Sequence, residues 1–193
     1  MKLLITGFEP FGGENINPSW EAVKRLPERI GEWELIKLEL PTVYGKAYEK
    51  AMDEAEKIHP DAIVSVGQAG GRDGITIEVV GINLREARIP DNEGNQPAAE
   101  PAAADGPAAF FATLPIRKMA QAVNDKGYKC SLSYSAGTFV CNDLLYLLLN
   151  KYNGQMPVGF IHVPFIREQV KGNEPFMELD DIVSALEISI AAI

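Results

Sequence analysis

Nucleophilic chemistry in this chain would centre on Cys141. The chain has two cysteines and two histidines, and Cys141 follows small residues that lead from a predicted strand into a predicted helix. Free N–H groups and the helix dipole at such a position favour a thiolate and can hold a developing oxyanion. We therefore predict a pre-activated nucleophile here. Its own context leaves open that Cys141 is simply a small buried apolar residue.

A cysteine nucleophile needs a base, and the two histidines differ in context. His59 stands immediately before Pro60, where a histidine can bond the last carbonyls of a helix. His162 lies in GFIHVPF, near the C-terminal end of a predicted strand, where ligands bind in open α/β sheets. We predict His162 as the base, with a hydrogen-bonded core histidine as the alternative.

A third group must orient the imidazole. Glu78 interrupts the apolar positions of ITIEVV, so it is either paired inside the protein or faces a cleft. A solvated edge strand is the alternative. Taken together, Glu78, Cys141 and His162 indicate an acyl-transfer site.

The remaining cysteine and the metal-binding residue types point to structural roles. Cys130 alternates with Tyr128, Leu132 and Tyr134, which is typical of a packed core cysteine on one strand face. Neither the cysteines nor the histidines show the short spacing of a zinc site. We expect two free thiols and no metal.

Predicted strands and helices alternate along the chain, and this rhythm predicts an α/β fold with a mainly parallel sheet between helices. The predicted strands are KLLITG, WELIKLEL, DAIVSVG, ITIEVVGIN, YKCSLSYS and VGFIHVPF. The predicted helices are Pro18 to Leu26, Val43 to His59, Ile116 to Asp125, Asn142 to Asn150, and one from about Asp180. Asn17 before Pro18 is a helix-cap signal, and Ala98 to Phe111 is predicted to be a loop.

Composition limits the classes of function. The length of 193 residues suits one domain, 1–193. The net charge of -9 disfavours nucleic acid as a partner. The apolar run Leu144 to Leu149 is too short to span a membrane, and MKLLITGF lacks a signal-peptide core, so a cytoplasmic location is expected.

Longer strings around these residues resemble the pyroglutamyl peptidase family, a family of cysteine peptidases. They are GFEPFGGENINPSW, GQAGGRDGITIE, EARIPDNEGNQP, SYSAGTFVCN and GFIHVPFI. The resemblance implies a three-layer α/β/α sandwich that works without cofactor or metal, commonly as a cytosolic homotetramer. It assigns the nucleophile to Cys141, the general base and acid to His162, and the orienting carboxylate to Glu78.

The same resemblance implies a substrate, a peptide with an N-terminal pyroglutamyl residue, and a pocket for the pyroglutamyl ring. The implied pocket residues are Phe8, Phe11, Phe139 and Val140, with Asn17 and Gln68 close by. Apolar walls and a few fixed amides suit a flat, uncharged lactam. A cysteine amidohydrolase for another acyl group and a noncatalytic ligand-binding module are the alternative functions.

Some positions leave a role open or depart from the family pattern. Arg88 is either a structural salt-bridge former or a support for the oxyanion. Val79 stands where a basic residue is expected beside Glu78, which bears on how that carboxylate is held. Arg167 replaces an expected proline, the Lys151 to Pro157 connection is short, and the C-terminus ends early.

Overall fold

A computed structural model describes residues 1–193 as a seven-stranded sheet with helices on both faces, beside a separate two-stranded sheet. The strands are β1 Lys2–Phe8, β2 Arg29–Ile30, β3 Trp33–Leu40, β4 Ala62–Gln68, β5 Ile75–Glu78, β6 Val80–Ile82, β7 Ala109–Phe111, β8 Cys130–Ser133 and β9 Val158–Val163. The helices are α1 Pro18–Arg25, α2 Lys46–Ile58, α3 Ile116–Asp125, α4 Val140–Tyr152 and α5 Leu179–Ala191. None of these helices is long and apolar enough to cross a bilayer.

The main sheet has the order β2-β3-β1-β4-β9-β5-β8 and is mostly parallel. The pairs β1–β3, β1–β4, β4–β9 and β5–β8 are parallel, whereas β2–β3 and β5–β9 are antiparallel. The predicted α/β class with a mainly parallel central sheet between helices is therefore confirmed.

Side-chain alternation along the strands produces two apolar cores, one on each face of the sheet. Leu3 and Ile5 of β1 pack in the core that includes α1, α3 and α5. Leu4 and Phe8 of the same strand pack in the core that includes α2 and α4. The sheet is thus the middle layer of three.

Local signals explain several helix boundaries. The Asn17 side chain accepts a hydrogen bond from the Ser19 N–H at 3.1 Å, and Pro18 occupies the first turn of α1. His59 caps the end of α2 in the left-handed conformation, with φ of 49°. The helix α4 begins at Val140, two residues before the predicted Asn142, because the Asp143 N–H already bonds the Phe139 carbonyl.

Two predictions about elements are wrong in detail. The predicted strand ITIEVVGIN is broken at Val79 into β5 and β6, because the Val79 N–H donates to Ser133 in the main sheet while its carbonyl accepts from Ala112. The predicted loop Ala98 to Phe111 ends in β7, which pairs antiparallel with β6. The chain therefore leaves the main sheet directly after Glu78.

Two positions noted in the sequence as departures have local structural roles. Arg167 begins a short 3-10 turn, and its guanidinium contacts Glu178 and lies 4.6 Å from the ring of Phe176. The short Lys151 to Pro157 connection turns at Asn153, which adopts a left-handed conformation with φ of 42°. Its amide closes the end of α4 on the Leu149 carbonyl at 2.8 Å.

Candidate active site

Three elements bring Glu78, Cys141 and His162 into one site. Cys141 is the second residue of α4, His162 is the penultimate residue of β9, and Glu78 is the last residue of β5. The Nδ1 atom of His162 lies 2.7 Å from Oε1 of Glu78. Cys141 and His162 both line the same cavity.

Glu78 is fully buried, and β5 lies between β9 and β8 rather than at the sheet edge. The alternative of a solvated edge strand is therefore wrong. Burial alone would raise the pKa of Glu78, but the interactions with His162, Ser133 and Arg72 outweigh it, and its pKa lies below the ordinary value. The Oε2 atom is buried without a hydrogen-bond partner, so the contacts of this carboxylate converge on Oε1.

His162 is also buried, and burial lowers its pKa although the hydrogen bond to Glu78 acts in the opposite direction. The imidazole is therefore neutral near pH 7. Because an ionised Glu78 can only accept, the Nδ1 atom of His162 must carry the proton. This tautomer leaves the Nε2 atom as the acceptor, as a general base requires.

Burial raises the pKa of the Cys141 thiol to about 12, and the Glu78 charge adds to the effect. Arg72 and a backbone hydrogen bond lower the pKa, but they do not offset burial. Loss of water around the sulfur therefore acts against the expected thiolate and opposes the effect of the helix N-terminus, and the pre-activation of Cys141 stays a prediction.

The sulfur lies against β4. A Cβ atom placed on Gly67 would be 2.9 Å from the Sγ atom of Cys141 and 2.7 Å from the ring of Phe160. Gly67 is the strand partner of His162. Because Gly67 has no side chain, the Cys141 thiol can lie against β4, next to the strand β9 that carries His162.

A cavity of about 270 Å³ opens in front of the cysteine and the histidine. Its lining consists of Phe8, Phe11, Asn17, Thr42, Gln68, Ala69, Arg72, Ser135, Ala136, Gly137, Phe139, Cys141 and His162. Five of the six expected pocket residues are among them. The exception is Val140, which is fully buried in the core beneath α4 and does not line the cavity.

Aromatic rings form one wall of this cavity. The rings of Phe11 and Phe139 lie 5.9 Å apart between centroids, and Tyr44 packs edge-on against Phe139 at 5.5 Å. The Tyr44 hydroxyl donates to the Thr138 carbonyl at 3.0 Å, next to Phe139 in the chain. The wall is therefore held in place by packing and by a hydrogen bond.

Two side-chain amides of the lining are held by neighbouring groups. The Oε1 atom of Gln68 accepts from Nε2 of Gln169 at 2.9 Å, which leaves the Gln68 amide nitrogen available to a ligand. The Asn17 side chain is already engaged, since it caps α1 and donates to the Glu9 carbonyl at 3.0 Å. Asn17 therefore supports the lining, and Gln68 offers a free donor.

The two arginines of interest lie in different places. Arg88 is exposed and is not part of the cavity lining. Arg72 does line the cavity, and its Nη1 atom lies 3.1 Å from Oε1 of Glu78. The sequence analysis missed Arg72. It lies in the string GQAGGRDG, but nothing in that string indicates which carboxylate it meets.

Cys130 is partly buried beside the core, and burial raises the pKa of its thiol to about 11. The expected packed face is only partly realised, because Tyr134 lies beyond β8 and is 65% exposed. The structure holds no cluster of three or more His, Cys, Asp or Glu side chains arranged to bind a metal ion.

Known proteins resemble the whole chain. A family model described as pyroglutamyl peptidase matches residues 1–193. Pyrrolidone-carboxylate peptidases of Clostridium perfringens and Staphylococcus carnosus are each 52% identical to it, over 100% of this chain and 93% of theirs. The crystal structure of pyroglutamyl peptidase I from Bacillus amyloliquefaciens superposes with a TM-score of 0.96 at 46% identity, over 99% of this chain and 95% of that one.

Proposed function

The chain belongs to the pyroglutamyl peptidase family of cysteine peptidases, and from that premise we propose that it removes an N-terminal pyroglutamyl residue from peptides through Cys141, His162 and Glu78. The observation that carries the proposal is the arrangement of Cys141 and His162 in one cavity with the buried Glu78 carboxylate 2.7 Å behind the imidazole. This is the order of groups that a nucleophile, its base and an orienting acid require.

Attack begins from a neutral thiol and a neutral imidazole. The Nε2 atom of His162 takes the proton from the Cys141 thiol as the sulfur bonds to the pyroglutamyl carbonyl carbon. The buried Glu78 carboxylate stabilises the imidazolium that forms. His162 then gives this proton to the leaving amine, which releases the shortened peptide and leaves a thioester on Cys141.

Water completes the cycle. His162 accepts a proton from the water that attacks the thioester, and the proton returns to the sulfur as pyroglutamate leaves. The oxyanion of each step is held by backbone N–H groups at the start of α4. These groups have no intrahelical partner, and the cap residue Phe139 supplies no side-chain hydrogen bond to them. Arg88 lies outside the cavity lining, so we assign the oxyanion to the backbone.

The lining of the cavity suits a pyroglutamyl acyl group. Phe11 and Phe139 provide an apolar wall against which a flat ring can pack, and Phe8 is a further apolar residue of the lining. We assign the free amide nitrogen of Gln68 as the donor to the lactam carbonyl. An acyl group without that carbonyl would leave this donor unpaired and would therefore be cleaved less efficiently.

We propose that residues 1–193 form one peptidase domain that acts in the cytoplasm as a homotetramer, as the family resemblance implies. A reducing compartment suits a mechanism that depends on a free Cys141 thiol. The exposed rings of Phe111 and Tyr134 supply apolar surface for subunit contacts. We expect neither nucleic acid nor membrane as a partner.

The reaction is tested with a fluorogenic amide of pyroglutamate under reducing conditions, with prolyl, leucyl and γ-glutamyl amides as controls. Cys141→Ala removes the nucleophile, and Cys130→Ser is the matched change at the other thiol. We expect turnover of the pyroglutamyl amide that is abolished by Cys141→Ala and retained in Cys130→Ser. Preference for another acyl group, or no turnover by folded and reduced protein, would contradict the proposal.

A further inference from the structure

Arg72 lies in the turn between β4 and β5, and its side chain reaches back to the buried carboxylate. Its Nη1 atom donates to Oε1 of Glu78 at 3.1 Å and also contacts the Thr76 hydroxyl. The arginine side chain is 27% exposed, whereas Glu78 is completely buried. Arg72 therefore connects the carboxylate behind the histidine with the solvent-facing side of the site.

Oε1 of Glu78 accepts from two partners. His162 lies 2.7 Å away through Nδ1, and Arg72 lies 3.1 Å away through Nη1. The other carboxylate oxygen has no hydrogen-bond partner. The rotation of the carboxylate, and hence the direction of the imidazole, depends on both donors at one atom.

We propose that Arg72 is a positioning residue for the catalytic reaction: it holds the Glu78 carboxylate oriented toward His162, and its charge beside Oε1 restrains protonation of the imidazole. A cation that shares Oε1 with the imidazole reduces the attraction between the carboxylate and a protonated His162. Without Arg72 the imidazole would keep its proton to higher pH, and less of it would be the neutral base that attack requires. The proposal rests on the proposed peptidase reaction only for its kinetic test.

Arg72 also supplies the positive charge beside Glu78 that the neighbouring Val79 lacks. A basic residue was expected next to Glu78 in the sequence, and Val79 supplies no charge. Val79 is itself buried, at 8% exposure. The cation that Glu78 needs is supplied in space by Arg72, six residues earlier in the chain.

Other charged groups near His162 do not take this role. The titratable groups that act on His162 are Glu78 from β5 and Arg72 from the turn after β4, with the Cys141 thiol of α4 in the same cavity. Asp143 of α4 is paired with Arg85 at 2.7 Å. On α1, Lys24 pairs with Glu21, and Arg25 pairs with Asp180. Arg72 is the cationic side chain among the lining residues of the cavity.

The first test follows the imidazole directly and does not depend on turnover. The chain has two histidines, and His59→Asn assigns their NMR signals, since asparagine also tolerates the left-handed cap position. Arg72→Met removes the charge, and Lys129→Met is the matched control, because Lys129 pairs with Asp73 at the surface. We expect the pKa of His162 to rise in Arg72→Met and to stay unchanged in Lys129→Met.

The second test is kinetic and includes Arg72→Lys, which keeps a charge without the planar guanidinium. We expect kcat to fall by about 10- to 100-fold in Arg72→Met with little change in KM, the factor for one lost charge-assisted hydrogen bond. The acid limb of its pH profile should move to higher pH, and Arg72→Lys should restore much of that position. An unchanged His162 pKa in folded Arg72→Met would overturn the proposal even if wild-type turnover is confirmed. A His162 pKa that shifts equally in Arg72→Lys and Arg72→Met would also overturn it. Absence of turnover by the wild-type protein, with the expected shift in the His162 pKa, would instead overturn the proposed function.

Discussion

The Oε1 atom of Glu78 and the Nδ1 atom of His162 lie 2.7 Å apart, and both residues are buried. A carboxylate in this position fixes the tautomer of the imidazole and stabilises its protonated form. The contact joins β5 and β9, which are adjacent and antiparallel strands with Thr76 opposite His162. The sheet topology therefore creates the carboxylate–imidazole pair on which the proposed mechanism depends.

Replacing the carboxylate by an amide should inactivate the site without collapsing it. Glu78→Gln keeps the shape of the side chain but can present an N–H to Nδ1 and so favour the wrong tautomer. We expect kcat to fall by about 10³- to 10⁴-fold. Glu34→Gln, an exposed position on β3, is the control and should retain activity. Equal kcat values for Glu78→Gln and wild type would contradict this role.

Gly67 is predicted to be intolerant of a side chain because of the sulfur beside it. In Gly67→Ala the new Cβ would lie 2.9 Å from Sγ of Cys141 and 2.7 Å from the Phe160 ring. We expect a destabilisation of about 1–3 kcal/mol and a loss of kcat/KM measured well below the unfolding temperature. Gly172→Ala is the control, because its Cβ meets only the flexible Glu174 side chain at 3.3 Å. Wild-type activity in Gly67→Ala would show that the thiol does not need this space.

Gln68 should determine selectivity for the lactam. In Gln68→Leu the free amide donor is lost, so the preference for pyroglutamyl over prolyl amides should fall by about 10- to 100-fold. The change should arise mostly from poorer cleavage of the pyroglutamyl amide. Gln155→Leu, at an exposed position after α4, is the control. Unaltered selectivity in Gln68→Leu would place lactam recognition elsewhere in the cavity.

Acid should destabilise the folded protein in part through His162. Burial lowers its pKa in the folded state below the ordinary value of 6.5, so the unfolded chain takes up the proton first as the pH falls through that value. The free energy of unfolding should therefore decrease from pH 7.5 to 5.5, by at most about 1.4 kcal/mol per pH unit from this group.

Urea unfolding at several pH values measures this effect, with His162→Asn as the comparison. His59 is present in both proteins, so its contribution cancels. The lowered pKa of Glu78 adds stability that is lost only at more acidic pH, below the ordinary carboxylate value. The same dependence on pH in both proteins between 7.5 and 5.5 would contradict a neutral, buried His162.

The sequence predicted long periodic elements well and short ones poorly. The helix Ile116–Asp125 begins and ends where its apolar spacing indicated. The break at Val79 was missed because β5 and β6 together read as one alternating pattern. The three residues of β7 carry no periodicity, and they form a strand only because β6 offers them a partner.

Residue chemistry indicated the candidate catalytic groups, but not their electrostatics. An acidic residue in an apolar strand already indicated that Glu78 is either paired inside the protein or faces a cleft. The partner Arg72 and the raised pKa of Cys141 depend on which side chains meet in space and on how much water they lose. The family resemblance implied that Val140, next to Cys141, lines the pocket. The first turn of α4 instead directs its side chain into the core.

The most direct test of the proposed mechanism is detection of the acyl-enzyme. The protein is mixed with a pyroglutamyl amide, quenched in acid within one turnover, digested and analysed by mass spectrometry. The account predicts one pyroglutamyl group on the peptide that contains Cys141, present in Cys130→Ser and absent in Cys141→Ala. Turnover of the amide that persists in Cys141→Ala, or an acyl group on another residue, would contradict it.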